Sequence, residues 1–352
     1  MMSIRELYVV YSDIAQGRTS TIHYQSHGVF VAAIVLGSLG LACSLLSAFF
    51  LYYYRQHKVV SIAQPKFLYL VCFACMLIST SLYFMSATIH GSSTNEPINN
   101  DNSHLDASCV AQIWFEYIGD ILLYMALFSK LWRIEKLSQF RRQTVLYKDV
   151  LLPFATVMLA STAILVAWTI QDPPVYGIVA FDDSYANNNN DNPQSSKKTM
   201  KMCYRNPIYN NIMIAFMVLS GIVALWMAWK TKHVREDLSD SHRVTHTIIC
   251  HLIVDLVAAV VLVPVANVTE SFTLLTTTLV VGGFLTAMAP LVFVILPKLY
   301  CAYVEETTGE LPEGTHILGR GTVRVTGLVD AETKPELDIA NIESTMDPSS
   351  LY

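Results

Sequence analysis

Seven apolar stretches, each long enough to cross a lipid bilayer as a helix, occupy most of this chain. They lie at about 28–54, 67–89, 109–137, 150–170, 207–229, 243–265 and 271–296. A helix of about 20 apolar residues spans the hydrocarbon layer of a bilayer. Within that layer only helices and closed barrels satisfy the hydrogen bonds of every backbone N–H and C=O group. Hydrophobic residues make up 53% of the chain and charged residues only 14%, which excludes two ordinary soluble domains. The sequence therefore predicts an all-α membrane protein with a seven-helix bundle.

Basic residues are distributed unequally between the two sides of the predicted bundle. The loops after the first, third and fifth stretches carry most of the Lys and Arg, whereas among the loops of the other side bases occur only in the long one at 171–206. Short loops with an excess of bases stay in the cytoplasm. We expect the amino terminus outside, the carboxyl terminus in the cytoplasm, and a multi-pass protein of the plasma membrane. The bases form no folded basic face, so nucleic-acid binding is not predicted.

Three regions follow from this topology. Residues 1–27 are polar, lack the pattern of a signal peptide, and are predicted to form a short extracellular amino terminus. Residues 28–300 form the transmembrane domain. Residues 301–352 are acidic, rich in Gly and Thr and without helical periodicity, and are predicted to be a mostly disordered cytoplasmic tail. The long outer loop at 171–206 is expected to have an ordered anchor and a flexible tip at its Asn run.

Two of the seven cysteines fall on the predicted outer side. Cys109 opens the third stretch and Cys203 lies in the long outer loop, and an oxidising exterior permits a disulfide bond between them. The alternative is two unrelated free thiols. The glycosylation sequon at Asn267 lies so close to the membrane that we do not expect modification there.

Ionisable residues inside the predicted helices are costly, and they mark candidate functional positions. Glu116 and Asp120 are one turn apart on the third helix, and His251 and Asp255 are one turn apart on the sixth. Together the four could form an intramembrane polar cluster that binds a cation or an amine, or they could be protonated acids that only specify helix packing. The same acids leave a membrane transporter as an alternative function, although the sequence has no inverted repeat.

One class of enzyme and one class of pigment protein are less consistent with the sequence. His242, His246, His251 and Asp255 suggest a His-based membrane hydrolase, since histidines at i and i+4 can bind zinc. The first two lie at the inner membrane surface, however, and no second His-rich stretch completes a site. A retinal protein needs a Lys in the middle of the seventh helix, whereas Lys298 is at its inner end. We therefore expect neither catalysis, nor a metal, nor a cofactor.

Several short motifs that match in order make the chain resemble the class C (family 3) G-protein-coupled receptors, and among them the GABA-B receptor branch. The third-helix segment YMALFSKLWR is similar to the branch signature Tyr-Gly-Ala-Met-Phe-Ser-Lys-x-Trp-Arg. The other matching pieces are Ser61 with Pro65, Cys109 with Cys203, Lys148 with Asp149, WTIQDP at 168–173, AWKTK at 228–232, SDS at 239–241, and PKLY at 297–300. The resemblance covers about 61–300.

The resemblance assigns roles to several residues. Lys130 and Asp240 match a pair that bridges the inner ends of the third and sixth helices in the resting state. Pro297, Lys298 and Tyr300 match the motif that closes the seventh helix. The resemblance also implies a heterotrimeric G protein and a related receptor as partners, in a homo- or heterodimer. The residues expected to face the G protein are Arg133, Arg141, Lys148, Lys232 and Arg235.

The chain also departs from that family pattern. Members usually carry a large extracellular module that binds the agonist, whereas only 27 residues precede the first stretch here, so we expect no such module in this chain. The acids Glu116, Asp120 and Asp255 stand where the family has aromatic or small apolar residues. Ligand recognition is then expected from a partner chain or from the bundle itself, unless the receptor is constitutively active.

Overall fold

The computed structural model of the protein describes most of the chain between residues 27 and 308. The described residues are 27–57, 60, 65–93, 103–139, 147–181, 198–231, 240–265 and 272–308. The chain divides into two units, Met1–Thr315 and His316–Tyr352. The second unit lies outside the described residues, as do the predicted amino-terminal segment before His27 and the tail after Thr308.

Seven long helices confirm the predicted bundle. They are α1 (His27–Tyr53), α2 (Pro65–Ser93), α3 (Ser103–Gln139), α4 (Tyr147–Gln171), α5 (Pro207–Thr231), α6 (Asp240–Val265) and α7 (Phe272–Pro290). One π-helical turn, Leu291–Ile295, joins α7 to α8 (Leu296–Thr308). Among the described residues, six helical segments are long and apolar enough to cross a membrane, namely those of α1 to α5 and the continuous run of α7 into α8. The remaining helix of the bundle, α6, is 26 residues long.

Two helix boundaries differ from the prediction by six residues or more. Helix α3 begins at Ser103 instead of Cys109, with Asp106 in its first turn, where a carboxylate faces the positive end of the helix dipole. Helix α8 continues to Thr308, so residues 301–308, which were expected to belong to the mostly disordered tail, are helical. The extension is stabilised because α8 buries Leu299 and Ala302 against the bundle.

The long outer loop contains a β-hairpin that was not predicted from the sequence. Strand β1 (Val175–Phe181) pairs antiparallel with β2 (Lys198–Tyr204), and Tyr176 lies opposite Cys203. β-Branched and aromatic residues in VYGIVAF favour a strand. The hairpin is the ordered anchor that we expected, while the loop tip at 182–197 lies outside the described residues.

Helix α3 is the central helix of the bundle. Ile113, Tyr117, Ile121, Leu127 and Leu131 are buried along its length, each at most 3% exposed. Helices α1 and α4 lie at the periphery and expose large apolar side chains along their length. The acids of α3 therefore face protein rather than lipid, as the cost of a charge in hydrocarbon requires. The end of the bundle that carries the β-hairpin is called the outer end, and the opposite end is called the inner end.

Candidate functional site

A cluster of polar side chains links α3 and α6 in the middle of the bundle. Asp120 and Tyr124 are one turn apart on α3, and His251 and Asp255 are one turn apart on α6. The Tyr124 hydroxyl donates a hydrogen bond of 3.0 Å to Asp255 Oδ2 and lies 3.3 Å from His251 Nδ1. The imidazole lies between the two acids, with Nδ1 3.7 Å from Asp255 Oδ2 and Nε2 3.8 Å from Asp120 Oδ1. We call these four residues the α3–α6 cluster.

The α3–α6 cluster is buried, and one of its contacts is incomplete. The His251 side chain is 1% exposed and that of Asp120 is 10% exposed. Asp120 Oδ1 and His251 Nε2 face each other, yet neither has a hydrogen-bond partner among the described residues. A buried polar atom without a partner costs about 1–3 kcal/mol. This gap is therefore the place in the cluster where a proton, a water molecule or a small shift of the helices has the largest energetic effect.

The predicted four-residue polar cluster is brought together only in part. Asp120, His251 and Asp255 do meet, but Glu116 forms an ion pair with Arg205, whose Nη2 lies 3.1 Å from Glu116 Oε2. The fourth member of the cluster is Tyr124 instead of Glu116. Tyr124 was not predicted as a member of the cluster, although its position four residues after Asp120 places it on the same face of α3.

The outer end of α3 is attached to the β-hairpin. The predicted disulfide bond between Cys109 and Cys203 is present. One turn before Cys109, the Asp106 carboxylate accepts a hydrogen bond of 2.7 Å from the backbone N–H of Tyr176. Burial raises the pKa of the Tyr176 phenol. The covalent bond and the hydrogen bond together fix the hairpin on the outer end of the bundle.

The inner end of α3 carries the residue predicted to restrain the resting state. Lys130 is buried, at 6% exposed, and Asp240 is the first residue of α6. The side chain of Asp240 lies outside the described part of the structure, so the bridge between the two stays a prediction. The same holds for the residues predicted to face a G protein, since Arg133 and Lys148 are described only by their backbone. Arg141, Lys232, Arg235 and the sequon residue Asn267 lie outside the described residues.

A second ionic contact, which was not predicted from the sequence, joins α3 to α5 at the inner end. Glu135 Oε1 lies 2.5 Å from Lys230 Nζ, and the same ammonium lies 5.4 Å from the centre of the Trp226 ring. The Glu135 side chain is 11% exposed and that of Lys230 is 46% exposed. No sequence spacing relates these residues, since they lie on different helices, so only the folded structure reveals the pair.

The seventh-helix motif lies just after the π-helical turn. Pro290 has no backbone N–H to donate, so the helix loses one backbone hydrogen bond directly before the π-helical turn. Beyond the turn, Lys298 is buried at 4% exposed and Tyr300 is 63% exposed. Helix α8 then contacts the inner end of α1, where the Tyr53 hydroxyl lies 3.5 Å from Glu306 Oε1.

The described residues contain no group of three or more His, Cys, Asp or Glu side chains arranged to hold a metal ion. Within the described part of the chain, the cluster is therefore suited to protons and hydrogen bonds.

Comparison with known proteins identifies the family. Residues 24–298 match the family model described as "7 transmembrane sweet-taste receptor of 3 GCPR". The subunit 1 proteins of the gamma-aminobutyric acid type B receptor from Rattus norvegicus and Mus musculus are each 22% identical over 236 residues. That segment is 63% of this chain but only 23% of each relative, so the chain spans about a quarter of the length of the relatives it matches.

The family match covers more than half of the chain and all seven helices of the bundle. It agrees with the motifs identified in the sequence, and it does not favour the transporter or hydrolase alternatives. The match to this receptor family, together with several helices long enough to cross a membrane, places the protein in the plasma membrane as a multi-pass protein. The chain belongs to the class C, or family 3, G-protein-coupled receptors.

Proposed function

We propose that this protein is a GABA-B-like receptor that signals to a heterotrimeric G protein when the inner ends of its helices move apart. The observation that carries the proposal is the presence of buried and paired charges at the inner end of α3, in a chain of this receptor family. There Lys130 is buried, and Glu135 is paired with Lys230 of α5. Charged residues at helix ends can hold two helices together in one state and release them in another.

The proposed resting state depends on Lys130 and Asp240, which bridge α3 and α6 when the inner ends are close. Opening would separate these two opposite charges, so the pair favours the closed arrangement. Opening would expose the inner end of the bundle, where Arg133, Arg141 and Lys148 are expected to face the G protein. The G protein would then stabilise the open state by binding it in preference to the closed one.

We further propose that the receptor acts as a dimer with a related receptor. The two relatives are named as subunits of a receptor, which supports assembly of this kind for a chain similar to them. Purification from the native membrane with a tag on this chain tests the proposal. A second receptor chain in stoichiometric amount is the expected result, while a monomer that couples fully to a G protein would contradict it.

Replacing Lys130 by alanine should raise signalling in the absence of agonist. Loss of one charge that favours the closed state by about 1.4 kcal/mol changes the ratio of closed to open receptor about tenfold. Asp240→Ala should produce an increase of the same size, because both substitutions remove the same bridge. Nucleotide exchange on the G protein, normalised to the receptor at the cell surface, measures the effect. Unchanged basal exchange at normal surface expression would count against the bridge.

Exchanging the charges of Glu135 and Lys230 tests the second inner contact. Glu135→Lys alone places two ammonium groups against each other and should raise basal signalling or lower stability by about 1 kcal/mol or more. Lys230→Glu alone should act in the same direction. The double variant Glu135→Lys with Lys230→Glu restores an ion pair and should recover most of the wild-type behaviour. Additive effects in the double variant would show that the two side chains act independently.

A further inference from the structure

We propose that the α3–α6 cluster is a proton-binding site, in which one proton held between His251 and Asp120 couples α3 to α6. The proposal rests on the proposed receptor function only for its effect on signalling. The site itself follows from the hydrogen-bonding capacity of the four side chains and from their distances.

The donors available in the cluster are too few for its acceptors. Tyr124 has a single hydroxyl proton, and it donates that proton to Asp255 Oδ2 at 3.0 Å. A neutral imidazole carries only one N–H, so His251 can donate to Asp120 or to Asp255 but not to both. One added proton supplies the missing donor, because a protonated imidazole donates from both ring nitrogens and a protonated Asp120 donates to His251 Nε2 across the same gap. The unpartnered atoms Asp120 Oδ1 and His251 Nε2 are where that second donor is missing.

The charges of the cluster lead to the same conclusion. Two ionised acids beside a neutral imidazole would leave two negative charges inside the membrane, which is costly. Glu116, one turn above Asp120, adds no positive charge, and its partner Arg205 is already paired with it. Cys75 of α2 interacts electrostatically with Asp120, but a thiol supplies no positive charge. Among the described side chains that face the cluster from α2, α3 and α6, none is therefore a base other than His251.

Dense packing around the cluster favours a proton over a larger cation. On the side of α5, a methyl group added at Gly221 would lie 3.2 Å from Tyr124 Cζ and 2.7 Å from the Leu252 side chain. An organic ammonium group would need space that this packing does not leave. A metal ion would need a set of ligands that the described residues do not supply. A proton adds charge without volume.

The proton would act as a clamp between the two helices. The distance of 3.8 Å between His251 Nε2 and Asp120 Oδ1 exceeds the 2.7–3.2 Å of a hydrogen bond. A proton held in that gap would draw α6 toward α3, whereas loss of the proton would release the contact. Since the proposed active state requires α3 and α6 to separate at their inner ends, proton uptake favours the resting receptor. Basal signalling should therefore rise with increasing pH.

The test is the pH dependence of nucleotide exchange in permeabilised membranes, where both faces of the receptor meet the same buffer. Between about pH 5.5 and about pH 8, basal exchange by the wild type should rise several-fold, with at most about a tenfold change per pH unit for one proton. His251→Gln and Asp120→Asn should give a flat profile. The matched control is Glu116→Gln on the same helix, which should keep the pH dependence because Glu116 pairs with Arg205. An unrelated receptor in the same membranes corrects for the pH response of the G protein.

A conservative variant distinguishes proton binding from a merely structural role. Tyr124→Phe removes the hydrogen bond that stabilises the ionised form of Asp255 and leaves the ring in place. The cluster should then bind its proton more tightly, and the midpoint of the pH profile should move to higher pH by roughly one unit. A midpoint that stays unchanged or moves to lower pH would contradict the assignment.

The thermal stability of the purified receptor provides a readout that does not require a G protein. The melting temperature of the wild type should fall as pH rises through the same range, and this slope should be absent in His251→Gln. If the slope is present but exchange shows no pH response, the proton site stands and the proposed signalling role fails. Equal slopes in the two proteins would overturn the site. A slope that disappears when choline replaces sodium would also overturn it, because the ligand would then be a metal cation.

Discussion

Replacing Gly119 by leucine should leave little correctly folded receptor, and replacing it by alanine should lower the melting temperature by about 5 °C. Gly119 lies at a close approach of α3 to α2. A methyl group added there would lie 2.7 Å from Ile78 Cγ1, 3.2 Å from the Ile78 backbone nitrogen and 3.3 Å from the Ala74 carbonyl oxygen. Two of these contacts are with backbone, so a side-chain rotation cannot relieve them and the helices must separate.

Separating α2 from α3 would be costly because the contact between them is extensive and buried. Cys75 and Ile78 of α2, and Ile121 of α3, are each at most 3% exposed. Membrane helices associate through close packing and not through the hydrophobic effect, so small residues at the contact contribute directly to stability. Over-packing such a contact costs about 1–3 kcal/mol for a small change in volume, and more for a large one.

The matched control for Gly119 is the same substitution at Gly282 in α7. An alanine methyl group there would meet only Val254 Cγ1, at the ordinary contact distance of 3.4 Å. Gly282→Ala should therefore leave the melting temperature unchanged or raise it slightly, because alanine favours the helix over glycine. Size-exclusion profiles and thermal melts in mild detergent compare the two variants. Equal losses at both positions would show that α3 and α2 are not in close contact at Gly119.

The helices could be predicted from the sequence because the bilayer imposes a strict length on each of them. An apolar stretch such as Pro207–Thr231 must be helical to satisfy its backbone in lipid, and both of its ends lie within a few residues of the prediction. The end of α8 could not be predicted in this way. It lies beyond the apolar stretch, and its structure depends on packing of Leu299 and Ala302 against the bundle. The hairpin was missed for a similar reason, because its strands are short and are separated by a long polar tip.

The candidate site shows what helical spacing can and cannot predict. Spacing alone placed Asp120 and Glu116 on one face of α3, and likewise His251 and Asp255 on α6. Spacing could not predict which neighbour each acid meets, because that depends on the approach of other elements. Arg205 precedes α5 and reaches Glu116, which removes that acid from the cluster.

The disulfide bond that attaches the hairpin to α3 should contribute as much to the stability of the receptor as the packing of α3 against α2. The disulfide bond between Cys109 and Cys203 closes a loop with a sequence separation of 94 residues. Loss of a native disulfide bond typically costs about 2–5 kcal/mol, and the chain-entropy account places so long a loop near the upper end of that range. Helices that remain inserted in the bilayer restrict the unfolded chain as well, so we expect a value near the lower limit of that range.

Cys203→Ala should sharply reduce the amount of receptor at the cell surface and lower its melting temperature by several degrees. Cys109→Ala should do the same, and the double variant should be no worse than either single one, because all three remove one and the same bond. The matched control is Cys250→Ala in α6, a free cysteine whose loss should have little effect. Peptide mapping without reductant should recover the two cysteines as a linked pair. Alkylation of both thiols in folded receptor, or a double variant with the summed loss of the two singles, would show that the hairpin is not held by this bond.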